Sequence, residues 1–222
     1  MKVIKIKPQL MSLITREITV FSKKKVSSQI KSVDGLILFL KKNTSLRPAL
    51  FDALNMMPVI GYINYLIFKM IKKQFSDLLL NWTYPQVRID LNANRKFKSP
   101  SHVDKWILSP KKEGYIFWFP INKSGGNIIF YKNNNLNKIK KHPYWGLQSL
   151  TVNEEKPIFI KYGEGVLFDK NTLHKSTDNA SQISIQLRYE ILKDIKGFKR
   201  SVTQKSDIKV IDYWRKKYVN KK

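Results

Sequence analysis

Tyr115-Ile-Phe-Trp-Phe-Pro-Ile121, Gly125-Gly126 and Asn127-Ile-Ile-Phe-Tyr131 together decide the fold. Two runs dense in aromatic and β-branched side chains flank a glycine pair, which reads as two strands joined by a turn. Upstream, Pro85-Gln-Val-Arg-Ile-Asp-Leu91 alternates with period two, as a half-buried strand does. Downstream, strands are predicted over Pro157 to Lys161, Gly165 to Asp169 and Ile183 to Ile191, with Gly163 and Gly165 punctuating the first two. Short strands separated by turn signals point to a mainly β chain with a sandwich or jelly-roll (cupin-like) core.

Helices flank that core. Residues 26–42 carry Ile30, Val33, Ile37 and Leu40 at helical spacing. Pro58 suits the first turn of a helix running through Leu66 and Met70 to Leu80. Ser206 can cap a last helix, with Ile208, Ile211, Trp214 and Tyr218 on one face. Residues 132–150, rich in Asn and Lys, read as a loop. The expected organisation is a helical region 1–83 packed on a core 84–192, with the tail 193–222 part of the same domain.

Composition narrows the chemistry. With 42% hydrophobic and 12% aromatic residues, most of the chain can bury a core and is not disordered. There is no cysteine, which removes disulfides, thiolate metal ligands and a cysteine nucleophile. A cytoplasmic location is expected, because the N-terminus lacks the apolar run of a secretory signal. The longest apolar run, Met56 to Phe68, is short of the ~20 residues that span a bilayer.

The formal charge is +26, yet only seven of the 42 basic residues are Arg; the rest are Lys. Readers of phosphate and base edges lean on Arg, so nucleic acid is not the expected partner. Lys and Asn share A/T-rich codons, so the bias is also what a genome's composition produces. A field of this sign favours an anionic small substrate and weak association with anionic membrane surfaces.

Within this frame stands His102-Val103-Asp104, and His174 follows some seventy residues on. Two imidazoles and one carboxylate in this order suit one face of a ferrous ion. The triplet alone is weak, because three histidines and 16 carboxylates would produce a His-x-Asp by chance about one time in five. If the segment is extended, His102 and Asp104 project from one face. Arg188 lies in Ile183-Ser-Ile-Gln-Leu-Arg-Tyr189, where Ser184, Gln186 and Arg188 share one face opposite Ile183, Ile185, Leu187 and Tyr189. A mid-strand guanidinium must be paired or reach solvent, and its planar fork suits a carboxylate. Arg88 and Arg95, near the triplet, are further sites for an anionic group. The aromatics Tyr115, Phe117, Trp118, Phe119 and Tyr131 suit either a pocket lining or, more often, core.

Five pieces in order resemble the phytanoyl-CoA dioxygenase type of iron(II)/2-oxoglutarate dioxygenases. They are Val87-Arg-Ile-Asp90, His102-Val-Asp104-Lys-Trp106, Ile116-Phe-Trp-Phe-Pro120, Gly163-Glu-Gly-Val-Leu-Phe168, and Leu173-His-Lys-Ser-Thr-Asp-Asn179 running on to Ser184-Ile-Gln-Leu-Arg-Tyr189. The resemblance implies a double-stranded β-helix with Fe(II) held by His102, Asp104 and His174. It implies that Arg188 anchors 2-oxoglutarate, with Ser176 and Asn179 as supporting polar residues. The stretch after Asn179 is short, so the family's arginine position falls on either Gln182 or Arg188. The implied reaction uses dioxygen, releases succinate and CO2, and hydroxylates a small metabolite or sugar-type substrate. Halogenating relatives replace the carboxylate that Asp104 retains, which favours hydroxylation; desaturation and ring closure use the same site. Two other classes stay open: a non-catalytic jelly-roll module that binds a ligand or protein, and a basic protein on nucleic acid or an anionic surface.

Overall fold

The computed structural model describes residues 1–73, 79–82, 85–91, 101–104, 113–131, 139–142, 146–149, 157–177 and 181–192. Asn179, Arg95 and the tail helix expected after Ser206 lie outside the described residues. Strand β1 (Lys2–Lys5) leads into helices α1 (Pro8–Lys25), α2 (Val33–Lys42), α3 (Arg47–Asn55) and α4 (Pro58–Lys72). Strands β2 (Leu79–Trp82), β3 (Gln86–Asp90), β4 (His102–Val103), β5 (Gly114–Pro120) and β6 (Gly126–Phe130) follow. The chain continues through β7 (Ile139–His142), β8 (Gly146–Ser149), β9 (Ile158–Ile160), β10 (Glu164–Asp169), β11 (His174–Ser176) and β12 (Gln182–Leu192).

The strands form two six-stranded sheets. One is ordered β1-β10-β5-β12-β2, with β3 also paired to β12, and the other β7-β8-β4-β11-β6-β9. Every pairing is antiparallel. Eight strands carry the winding. Strands β3, β5, β10 and β12 lie in the first sheet, and β4, β6, β9 and β11 in the second, so the chain crosses repeatedly between them. This is a jelly-roll, double-stranded β-helix order, mainly β with flanking helices, as the sequence suggested.

Period two divides the first sheet into two faces. Phe117, Phe119, Ile183, Ile185, Leu187 and Tyr189 face the helices, and pack in one core with Met11, Ile14 and Ile18 of α1 and Ile60, Ile63 and Ile67 of α4. Ile116, Trp118, Val166 and Phe168 face the second sheet, and pack with Ile128, Phe130 and Ile160. The strand aromatics are therefore mostly core: Tyr115 packs at the margin of the helix-side core, and Tyr131 in a small cluster with Val103, Ile129 and Leu173. At Gly165 a Cβ would lie 2.3 Å from Phe117 Cζ, so any side chain there requires the ring or the sheet to shift. Gly125, at φ 75°, makes the predicted turn between β5 and β6.

Three sequence expectations are corrected. Helix α4 ends at Lys72 rather than Leu80, and Leu79–Trp82 is a strand paired with Tyr189 to Leu192. Strand β3 covers β12 only from Gln182 to Gln186, so the rest of that edge still needs partners, which Leu79–Trp82 supplies. The Asn- and Lys-rich stretch contains two strands, β7 and β8, extending the second sheet beyond β4. Lysine-rich composition is typical of edge strands, which is why it read as loop. Helix α2 begins at Val33, where Ser32 Oγ accepts from Gly35 N at 3.0 Å, and residues 26–32 precede it.

No single helix among the described residues is long and apolar enough to cross a membrane. The apolar residues of α4 are instead buried in the helix-side core. Helix α3 fastens β3. Asn55 Nδ2 donates to Val87 O at 3.0 Å, its Oδ1 accepts from Val87 N at 2.8 Å, and Arg47 Nε donates to Ile89 O at 2.8 Å. Side chains thus satisfy backbone groups that an edge strand would leave open.

Candidate metal centre

The site lies between the sheets, where β4 and β11 pair. Register sets His174 directly opposite His102, and their rings lie 4.5 Å apart between centroids. Asp104, two residues after His102, directly follows β4 and is held there by its own N–H, which donates to Lys170 O at 3.1 Å. The three candidate ligand atoms lie within 4.8 Å of one another, and all three residues are buried. His174 Nε2 is 3.6 Å from Asp104 Oδ2, and His102 Nε2 is 4.0 Å from Asp104 Oδ1.

Hydrogen bonds orient the ligands. His174 Nδ1 lies 3.0 Å from Thr172 O. A carbonyl only accepts, so Nδ1 carries the proton and Nε2 presents its lone pair. Burial, and then the neighbouring His102, push the His174 imidazolium down to about 3, so the ring is neutral near pH 7. A lone pair therefore faces a carboxylate oxygen with no proton between them. That donor set fits a cation, which the two groups would share. Phe168 packs edge-on to the His174 ring at 4.8 Å between centroids and keeps water from that side.

Asp104 is held by strand β12. Gln186 Nε2 donates to Oδ2 at 2.6 Å, and Arg188 Nη2 lies 3.3 Å from Oδ1. Burial alone would raise the Asp104 carboxyl; the Arg188 guanidinium and then the two imidazoles outweigh it and hold the group below its ordinary value.

Arg188 is buried on the inward face with Ser184 and Gln186, as parity predicted. Its Nη2 also donates to Gln86 Oε1 at 3.0 Å. The alternative position, Gln182, has both amide atoms bound to the backbone: Nε2 donates to Asn127 O at 3.0 Å and Oε1 accepts from Asn127 N at 2.7 Å. Ser176 Oγ donates to Asp90 Oδ2 at 2.8 Å, and Asp90 Oδ1 lies 3.6 Å from Arg88 Nη2.

The structure thus brings together His102, Asp104, His174 and Arg188, and sets Ser176 among polar side chains of β3. Sequence reasoning gave no role to Gln186, Gln86 or Asp90. Their signal was available: Gln86, Arg88 and Asp90 form a polar face of one strand, and Ser184, Gln186 and Arg188 of another, each opposite an apolar face. A cleft of about 380 Å³ lined by Thr15, Arg16, Lys31, Asp34 and Lys123 opens elsewhere, against α1 and α2.

No protein-family model matches the chain, and no curated protein matches it. Among solved structures it is similar to the non-heme alpha ketoglutarate dependent epimerase SnoN from nogalamycin biosynthesis, at 10% identity over 85% of this chain and 78% of that one, with a TM-score of 0.43. SnoN in complex with Fe3+, alpha ketoglutarate and nogalamycin RO matches at 13% identity, over 66% of this chain and 60% of that one, with a TM-score of 0.40. EvdO2 from Micromonospora carbonacea var. aurantiaca, complexed with 2-oxoglutarate, matches at 14% identity over 53% of each chain, with a TM-score of 0.34. The chain thus spans 60% or less of the length of two of these three structures. These likenesses are distant, and the double-stranded β-helix is read from this chain's own strand order.

Proposed function

We propose that this chain is an iron(II)- and 2-oxoglutarate-dependent oxygenase of the phytanoyl-CoA dioxygenase type, hydroxylating a small organic substrate in the cytoplasm. The observation that carries the reading is the meeting of His102, Asp104 and His174, ligand atoms within 4.8 Å, inside a double-stranded β-helix. Two nitrogens and one carboxylate are a borderline-soft set suited to ferrous iron, with coordination positions left over for other ligands.

Charge balance argues for the dicarboxylate. Around the triad, Asp104 is matched by Arg188 and Asp90 by Arg88. A divalent cation alone would leave two uncompensated charges among buried groups, which is costly. Arg47 adds a further positive charge near Asp90, so a dianionic ligand offsets the charge that the cation brings. Bound together, ferrous iron and 2-oxoglutarate supply the oxidising chemistry: dioxygen is reduced, 2-oxoglutarate leaves as succinate and CO2, and the substrate gains a hydroxyl.

The chain's residues supply position and exclusion. Thr172 O fixes the His174 tautomer, Gln186 and Arg188 fix the Asp104 carboxylate, and Phe168 and Phe130 pack beside His174. Arg188, Ser176 and Asn179 are the sequence candidates for holding the cosubstrate. A small metabolite or sugar-type molecule is the proposed substrate class, and an anionic one gains from the basic surface.

The test is anaerobic. Fe(II) is added to the protein and 2-oxoglutarate is titrated while the visible iron-to-keto-acid charge-transfer band is followed. The expected result is a saturable band, absent in His174→Ala. Folded, iron-loaded protein that gives no band would overturn the reading in favour of a non-catalytic binding module.

A further inference from the structure

We infer that Arg88, flanked by Ser176 and Ser184, holds the distal carboxylate of the dicarboxylate cosubstrate, whereas Arg188 holds the carboxylate of Asp104. The inference rests on the iron and 2-oxoglutarate reading above and changes which arginine does the anchoring.

Two strands step from the metal triad toward Arg88 and Asp90. On β11, His174 is followed two residues later by Ser176; on β12, Gln186, which touches Asp104, is preceded two residues earlier by Ser184. Two residues along a strand cover about 6.6 Å on one face, the scale of a five-carbon diacid. One step ends opposite Arg88 and the other at Asp90, the carboxylate nearest Arg88: Ser184 is registered directly opposite Arg88, and Ser176 Oγ donates to Asp90. Ser184 is fully buried, and its Oγ has no hydrogen-bond partner among the described residues. A buried hydroxyl of this kind is ordinarily satisfied, so it points to a ligand.

Asp90 does not close this cradle. Its single contact with Arg88, at 3.6 Å, is longer than a hydrogen bond, and a guanidinium has five N–H donors. Arg47 also feels the Asp90 charge and offsets it. Arg188 lies along β12 in the other direction from Gln186, and its Nη2 rests on Asp104 and Gln86. That Nη2 is committed to the Asp104 carboxylate, whereas Arg188 Nε, also buried, has no partner among the described residues, so the two arginines are separated by the calorimetric test.

The test uses Co(II)-loaded protein and calorimetry with two keto acids, 2-oxoglutarate and 2-oxopentanoate; the second has five carbons but no distal carboxylate. Arg88→Gln is expected to weaken 2-oxoglutarate by at least about tenfold while 2-oxopentanoate moves by less than about threefold. Arg88→Lys keeps the charge against Asp90, guards against misfolding, and is expected to weaken 2-oxoglutarate selectively but less, because it lacks the planar fork. Arg188→Gln is expected to alter Co(II) affinity before any keto acid is added. The inference is overturned if both Arg88 variants, folded by thermal melting, keep the full preference for 2-oxoglutarate, or if Arg188→Gln alone abolishes it. Wild-type protein that binds Co(II) but neither keto acid would overturn the cosubstrate reading itself, and this inference with it.

Discussion

Gln186 Nε2 donates to Asp104 Oδ2 at 2.6 Å, and this bond fixes the plane of the carboxylate between the two histidines. Arg188, two residues further along the same face of β12, holds the other oxygen. A group that hydrogen-bonds a metal ligand holds it in the orientation that binding needs. Gln186→Ala should therefore weaken Co(II) binding by about ten- to a hundredfold. Gln186→Glu should be worse, because it sets a second carboxylate against Asp104. Direct metal titration checks both, and wild-type affinity in Gln186→Ala would remove the orienting role.

On the iron and 2-oxoglutarate reading, the charges they bring into the buried site couple the two ligands. Co(II) should bind more tightly in the presence of 2-oxoglutarate, and 2-oxoglutarate more tightly in the presence of Co(II), by the same factor. Calorimetric titrations in both orders measure the two factors. Independent binding would mean that the cavity compensates the metal charge by other means.

Acid should destabilise the protein. The His174 imidazolium is pushed down to about 3 from an ordinary 6.5, so between those values the unfolded chain binds a proton that the folded chain does not. Stability then falls as pH drops through that window. Asp104 is also held below its ordinary value, so its contribution is present above that value and is lost as pH falls through the folded one. Denaturant midpoints of the metal-free protein should decline from pH 7 to pH 4, and the decline should be shallower in His174→Asn. A flat profile would show that the ring is not buried and neutral.

Asn55→Ala should loosen β3 without touching the metal triad. It removes the partners of Val87 N–H and C=O, at about 1–3 kcal/mol for each group left unsatisfied. A thermal melt should fall by about 2–4 °C per kcal/mol lost. Because Arg88 sits next to Val87, 2-oxoglutarate binding should weaken more than Co(II) binding.

Gly165→Ala tests the packing that backs the site. Its Cβ would meet the Phe117 ring at 2.3 Å, so the sheet or the ring must shift. A loss of about 1–3 kcal/mol is expected from overpacking. Chemical denaturation measures it, and a wild-type midpoint would mean that Phe117 can rotate away.

The parity of β12 was legible because an alternating strand buried on both faces must put its polar residues together. The candidate triad was legible because the chain has only three histidines and one stands two residues before an aspartate. Strands β2, β7 and β8 were not. Leu79 and Leu80 extend a helical apolar pattern as readily as they form an edge strand, and Lys-rich β7 looks like loop until a partner is seen. The partner of Arg188 was also hidden: an inward guanidinium demands a carboxylate, but nothing local says whether it belongs to a ligand or to Asp104.

The sequence by itself determined which side chains could do chemistry and on which face of each strand they stand. Period-two alternation and the absence of cysteine follow from local pattern and composition alone. Only the tertiary structure decided register: His174 opposite His102, Arg88 opposite Ser184, Gln186 against Asp104. Those pairings join strands far apart in the chain. They are set by how the two sheets close over their shared core, because a slip of one residue would turn every inward polar group outward.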